Sequence, residues 1–484
     1  MADLASLSGY PSLGLREAAA ALADRTVSSA ELVDATLANI AATQQTLNAF
    51  KLVRAEQAAL EAAEADRRLA AGERSPLLGV PVAIKDDTDL AGTPTTFGCA
   101  GEAPAVAADA EMVRRLKLAG AVIVGKTNTP EIGQWPMTEG PGFGVTRNPW
   151  SLAHSPGGSS GGAAAAVAAG LVPAAVGSDG AGSVRIPAAW TGLVGIKPQR
   201  GRVSGWPDPD PFNGLTCNGP LARTVEDAAL LLDALRGNHP GDRHHPPAPP
   251  EPYLAVAERA DPGRLRIAVA LDVPFSGAPA RLHEDVRAQV LRLAAVLAAL
   301  GHHVITASPR YGLVGAAFMP MSMAGIRGWN QRVGAWAALD PRTRHNGRLG
   351  ALLSGPVLTT AALLERRARA RIGAIFRRAD VVLAPTTAAP PLAIGALDGL
   401  GGWETDQVCA GACPYAWPWN VIGWPAVNVP AGLTPDGLPV GAQLLGNANS
   451  EPTLIALAAQ LQAAERWQDR RPTATDPMQA ARRA

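Results

Sequence analysis

Lysine is almost missing from this chain. Its 43 basic residues include only five lysines, Lys51, Lys85, Lys117, Lys126 and Lys197, and the rest are arginine. Cysteine is as scarce: Cys99, Cys217, Cys409 and Cys413 are too few and too scattered for a disulfide framework. Cys409 and Cys413 form a C-x-x-x-C pair. A zinc site needs further sulfur or nitrogen ligands, and none is spaced beside them, so no metal is expected. No run of about 18 apolar residues occurs, which speaks against a spanning helix. The N-terminal segment lacks the basic and unbroken apolar stretches of a signal peptide. Charge of either sign never gathers into blocks, and the net charge is +1. Neither nucleic acid nor an anionic membrane would find a partner surface in such a pattern. These absences predict a cytoplasmic protein with no nucleic-acid or membrane partner.

What is present supports a large core: 484 residues, 47% hydrophobic and 18% charged. Residues 15–23, 30–42 and 53–71 read as helices, with Ser28 and Glu31 at capping-box spacing. Short apolar runs at 79–86, 121–126 and 193–198 then read as buried strands, interleaved with helical stretches at 110–119, 162–169 and 225–235. That alternation predicts a sheet with helices packed against it. Residues 237–252, GNHPGDRHHPPAPPEP, read as a proline-rich linker or surface loop. Strand texture resumes at 265–272, 302–308 and 379–386. Helices are expected at 288–300, 312–338, 359–378 and 452–467, and the last dozen residues read as a fraying tail. His302 and His303, at the start of a strand, read as ordinary surface or half-buried residues.

Three of the five lysines, Lys85, Lys126 and Lys197, end apolar runs. A charged head is costly there. Arginine cannot lose its proton in a protein, but a buried lysine can. A chain that uses arginine nearly everywhere is expected to keep lysine where a neutral amine is needed. The alternative is that these lysines only snorkel out of strand ends.

The segment SPGGSSGG (155–162), directly before an alanine-rich helix, has three readings. A phosphate cradle would need a Gly-Lys-Ser/Thr or Rossmann spacing, and neither follows. A nucleophile elbow on Ser160 satisfies G-x-S-x-G, but NPWSLAHSP before it is a poor strand and no histidine lies beyond His345. The third reading takes the whole of SPGGSSGGAAAAVAAGLVPAAVGSDGAGSVRIPAAWTGLVGIKP (155–198). This resembles the amidase signature family, with its serine-glycine segment, helix, second glycine-serine turn and Gly-x-Lys-Pro close. GVPVAIKDDTDLAGTPTTFG (79–98), VTRNPW (145–150), GPLARTVEDAALLLDAL (219–235) and NVIGWPAVNVPAGLTPDGLPVGAQLLG (420–446) extend the likeness over roughly residues 10 to 467.

The resemblance implies an α/β fold: one large domain with a central twisted mixed β-sheet surrounded by α-helices. Its expected parts are an N-terminal helical region (1–75), a signature core (76–235), a Pro-rich surface loop (236–264), the remainder of the same domain with variable pocket helices (265–470), and a tail (471–484). It implies a Ser–cis-Ser–Lys triad of nucleophile Ser183, bridging Ser159 and base Lys85, with a cis bond at Gly158–Ser159. Glycines beside such a bond let two chain segments approach closely. Lys126 and Lys197 remain rivals to Lys85 on physical grounds alone. The backbone amides of Gly180, Ala181 and Gly182 are expected to form the oxyanion hole. Ser160, Asp179 and Arg185 are expected to brace it. The family usually has Thr-Gly-Gly-Ser where this chain has Gly-Ala-Gly-Ser, and an alanine does not adopt positive φ freely.

Gln134, Trp135 and Met137 correspond by position to the acyl pocket of relatives. Met319, Met321, Met323, Ile326, Trp329, Trp417, Trp419 and Trp424 are further candidate walls, or simply core. The implied activity is hydrolysis of amides with aryl or hydrophobic groups through an acyl-enzyme, with esters and carbamates open to the same chemistry. No cofactor is expected, and the chain is expected to act on a small molecule as a monomer or homodimer. Two other functions fit the resemblance less well: a glutamine-hydrolysing subunit of a tRNA-dependent amidotransferase, which would need a polar pocket, and a non-catalytic scaffold, which would have no use for the triad.

Overall fold

Apolar runs of four to eight residues between turns form strands when both faces can be covered. The computed structural model, which describes residues 13–472 except Ser276, contains thirteen strands among those residues. They are β1 (Phe50–Val53), β2 (Pro81–Lys85), β3 (Val122–Thr127), β4 (Glu139–Gly140), β5 (Gly144–Val145), β6 (Ala174–Asp179), β7 (Val194–Lys197), β8 (Cys217–Ala222), β9 (Arg266–Val269), β10 (His303–Thr306), β11 (Val381–Pro385), β12 (Ala426–Leu433) and β13 (Pro439–Leu445). β4 and β5 pair separately. The other eleven make one sheet in the order β1-β3-β2-β6-β8-β7-β12-β13-β11-β9-β10. Its pairing is mixed, parallel for β2 with β3 and β6, and antiparallel where β7 meets β12. Helices cover both faces, so this is a single α/β domain with a large mixed sheet.

Side chains alternate across a strand. Val82 and Ile84 pack into one layer of the core, and Ala83 into the other. Lys85 falls on the Ala83 face at the carboxyl end of β2. The parallel register sets Ala83 beside Ala175 and Ile84 beside Val176, so Lys85 lies next to the end of β6. The helix Gly161–Ala168 is buried along its whole length beneath these strands. Alanine and glycine let it fit there without forcing the strands apart.

The capping box forms: Glu31 N–H donates to Ser28 Oγ at 3.2 Å and Ser28 N–H to Glu31 Oε2 at 2.8 Å. Other expectations need correction. The helix expected from residue 53 starts later, as Ala55–Ala70, because Phe50–Val53 pairs antiparallel with β3 as an edge strand. The loop expected over 236–264 carries a helix, Tyr253–Arg259, whose Tyr253 is buried. The fraying tail lies, from residue 473 on, outside the described residues, as do the first twelve residues. Among those described, no single helix is long and apolar enough to cross a membrane; one pair reaches that length only together and is bent by 85°.

Candidate active site

The three strand-end lysines are all buried, but their partners differ. Lys126 pairs with Asp86 at 3.0 Å and donates to the Pro94 carbonyl at 2.7 Å and Thr95 Oγ1 at 2.9 Å. Lys197 donates to the Pro198 carbonyl at 3.0 Å and meets Cys217 Sγ at 3.9 Å. Lys85 Nζ lies 2.8 Å from Ser159 Oγ, 2.7 Å from Ser178 Oγ and 3.2 Å from Asp87 Oδ2. It alone of the three lines the main cavity. Burial pulls its pKa below the usual lysine range, and the Asp87 and Asp179 carboxylates only partly oppose this.

Ser159 is buried at the start of the glycine-rich turn, and the Gly158–Ser159 peptide is cis. Gly158 has no room for a side chain: a Cβ there would sit 2.7 Å from the Trp135 carbonyl oxygen. Ser160 clamps the turn to the sheet. Its Oγ donates to the Ser178 carbonyl at 3.2 Å, and its N–H donates to the Ser183 carbonyl at 3.0 Å. Ser183 lies on the loop that follows β6, half-buried, and faces the cavity with Lys85 and Ser159. Its hydroxyl has no hydrogen-bond partner among the described residues.

Asp179 organises that loop. Its carboxylate accepts from the N–H groups of Gly182 (2.8 Å), Val184 (3.2 Å) and Arg185 (3.3 Å). The fully buried Arg185 side chain donates to it at 2.9 and 3.0 Å, and also to the Ala416 carbonyl, Gln443 and Asn420. Burial works to raise the Asp179 pKa, but Arg185 outweighs it, with help from Lys197 and Asn420, and the carboxyl is held below its usual range. The loop thereby corrects one expectation. The Gly182 N–H is committed to Asp179, and Gly182 does not line the cavity, so it is not available to an oxyanion. Gly180 and Ala181 do line the cavity, and their N–H groups have no acceptor among the described residues. Ala181 avoids positive φ; Gly182 takes it instead, at 115°.

The cavity encloses about 190 Å³. Gln134 and Trp135 line it, whereas Met137 does not; Met137 is packed with Ile186 and Trp190 in the core behind. Met319, Met323, Ile326, Trp329 and Trp417 form walls. Met321 and Trp419 belong to the core, and Trp424 packs against Phe376. Sequence reasoning missed Asp87 and Ser178, which hold Lys85. It also missed Ile132 and Phe212, which line the cavity at φ 56° and 50°. Such conformations cost non-glycine residues about 1–3 kcal/mol each and gather at functional sites.

The Amidase family profile matches residues 31–455. AmiA2 of Mycobacterium tuberculosis (strain ATCC 25618 / H37Rv) is 56% identical over 453 residues, covering 93% of this chain and 93% of its own length. Among solved structures, a 6-aminohexanoate cyclic dimer hydrolase is 32% identical with a TM-score of 0.87, over 96% of this chain and 99% of that one. A bacterial aryl acylamidase of the amidase signature enzymes is 27% identical with a TM-score of 0.84, over 94% of this chain and 98% of that one.

Proposed function

The chain belongs to the amidase family of amide-bond hydrolases, and from that premise we propose that it works through an acyl-enzyme on Ser183, relayed by Ser159 and driven by neutral Lys85. A neutral amine has two N–H donors and one lone pair. Ser178 Oγ at 2.7 Å and Asp87 Oδ2 at 3.2 Å take the two donors. The lone pair is then left for the Ser159 O–H at 2.8 Å. That buried contact, in a cavity shared with Ser183, is the observation that carries the reading.

Ser159 passes its proton to Lys85 as it accepts the proton of Ser183. Ser183 Oγ bonds to the carbonyl carbon, and the carbonyl oxygen takes the negative charge. The amides of Gly180 and Ala181 hold that oxyanion; removing one such donor typically costs about 10²–10³-fold in rate. The C–N bond breaks as the proton returns through Ser159 to the leaving amine. Water then adds to the acyl-enzyme by the same relay and releases the acid.

The apolar walls, among them Phe212, Phe318, Trp329 and Trp417, favour aryl or hydrophobic acyl amides. Esters and carbamates share the tetrahedral oxyanion and are accepted as side reactions. A fluorophosphonate probe and a panel of anilides, alkyl amides, esters and carbamates test this. The wild-type protein should label and turn over anilides, and Ser183→Ala should do neither. Labelling that survives Ser183→Ala but is lost in Ser160→Ala would return the nucleophile to Ser160 and overturn the reading.

A further inference from the structure

The charged side chains lining the cavity are Lys85, Asp87 and Asp406. The first two face each other at 3.2 Å. Asp406 stands apart, on the helix Gly402–Ala412. With Cys409, Ala410 and Cys413 it occupies the i, i+3, i+4, i+7 stripe that this helix turns to the cavity. Asp406 has no ion-pair partner among the described residues, and burial pushes its pKa up to about 6, against the opposing effects of hydrogen bonding from Trp135 and Asn346 and of the His345 and Arg342 charges. Arg342 does not neutralise it directly. That guanidinium is bound to both carboxylate oxygens of Asp340, at 3.1 and 2.9 Å, and lies 4.7 Å over the Trp135 ring.

Two buried side chains stand beside Asp406, and one of them has an unsatisfied acceptor. Asn346 is 1% exposed and Trp135 is 4% exposed, and both line the cavity. Asn346 Nδ2 donates to Gln134 Oε1 at 3.1 Å, and Gln134 Nε2 in turn donates to Thr343 Oγ1 at 2.5 Å. This chain fixes the orientation of the Asn346 amide and leaves its Oδ1 buried with no donor. Trp135 Nε1 is buried and turned to the Asp406 carboxylate. A buried acceptor without a donor is costly to the protein, so a ligand that supplies the missing donor recovers that cost.

We infer that Asp406, Asn346 and Trp135 form a specificity site for a protonated primary amine carried by the acyl part of the substrate. The amine donates to the Asp406 carboxylate and to Asn346 Oδ1, and the Trp135 N–H supports the carboxylate. The half-buried carboxylate has already lost part of its hydration in the free protein, so less of the pairing energy is spent on desolvation. The inference rests on the hydrolase reading above and names the substrate class for the same cavity.

Binding to the Ser183→Ala protein tests it without turnover. Two ligands of nearly equal shape are compared by calorimetry at pH 7.5: 5-amino-N-phenylpentanamide, with an ammonium end, and N-phenylhexanamide, with a methyl end. The amino ligand should bind about tenfold more tightly. Adding Asp406→Asn should bring the two affinities level while leaving that of N-phenylhexanamide unchanged. Adding Asn346→Leu should narrow the preference. The inference is overturned if neither ligand binds, if the parent protein shows no preference, if the preference survives Asp406→Asn, or if both ligands weaken together, which marks a purely structural carboxylate. The hydrolase reading fails separately, by absent turnover and labelling of the wild-type protein.

Discussion

Lys85 is surrounded by hydroxyls and one carboxylate, and its charge decides whether it can work as a base. Arginine in its place would stay protonated at every accessible pH. Lys85→Arg should therefore lower kcat/KM by roughly 10⁴-fold or more, as Ser183→Ala should, because relay members act as one unit. The same logic fixes the sign of the pH dependence. Below the lowered pKa of Lys85 the amine holds a proton and cannot accept one, so kcat/KM should fall on the acid side. Asp87 is the main opposing charge, raising that pKa. Asp87→Asn should move the acid limb of the kcat/KM profile to lower pH; a limb that stays in place would deny Lys85 the role of base. The proposed relay residues Lys85, Ser159 and Ser183 stand out in the sequence because each sits in a contiguous, distinctive motif. Asp87 and Ser178 do not. Asp87 is only two residues from Lys85, yet its meaning depends on β2 lying beside β6, and a parallel pairing of strands this far apart in sequence leaves no local signal.

At the scale of elements, the helix Gly161–Ala168 shows why small residues are required. Replacing a helical glycine by alanine normally gains roughly 0.5–1 kcal/mol. At Gly162 a Cβ would lie 2.5 Å from both the Ala49 carbonyl oxygen and the Asn128 nitrogen, two backbone atoms that cannot swing aside. Overpacking of this kind costs about 1–3 kcal/mol and wins over the propensity gain. Gly162→Ala should lower the melting temperature. It should also lower kcat, since the displaced helix carries the Ser159–Ser160 turn with it; a melting temperature at or above the wild-type value would show that the backbone gives way. Legibility followed side-chain type here as well. β2, β3 and β7 are rich in valine and isoleucine and announce themselves as strands. β6, AAVGSD, is built from small and polar residues, and only its place between β2 and β8 makes it a strand. The cavity helix Gly402–Ala412 mixes charges, glycine and cysteine without a clean apolar stripe, so Asp406 went unnoticed.

Across the whole molecule, one buried arginine joins parts of the chain that the sequence keeps far apart. Arg185 reaches Asp179 beside it and Gln443, 258 positions away, and all its side-chain nitrogens are engaged. The sheet has the same logic: β7, from the first half, lies against β12, from the second. The signature loop is thus held by residues on both sides of the proline-rich stretch. Arg185→Met keeps much of the volume but strands the Asp179 carboxylate, and breaking a buried pair in this way costs about 3–5 kcal/mol. The variant should unfold at markedly lower denaturant than wild type at neutral pH. Asp179 is held ionised in the wild-type protein because Arg185, with Lys197 and Asn420, outweighs burial; losing Arg185 raises its pKa, and protonation then removes the stranded charge. The deficit should therefore be largest at neutral pH and narrow as the pH falls, and adding Asp179→Asn to Arg185→Met should restore part of the loss. A deficit independent of pH, with no rescue by the double substitution, would mean that Arg185 serves the fold by its packing and its bonds to Ala416, Asn420 and Gln443 rather than by its charge.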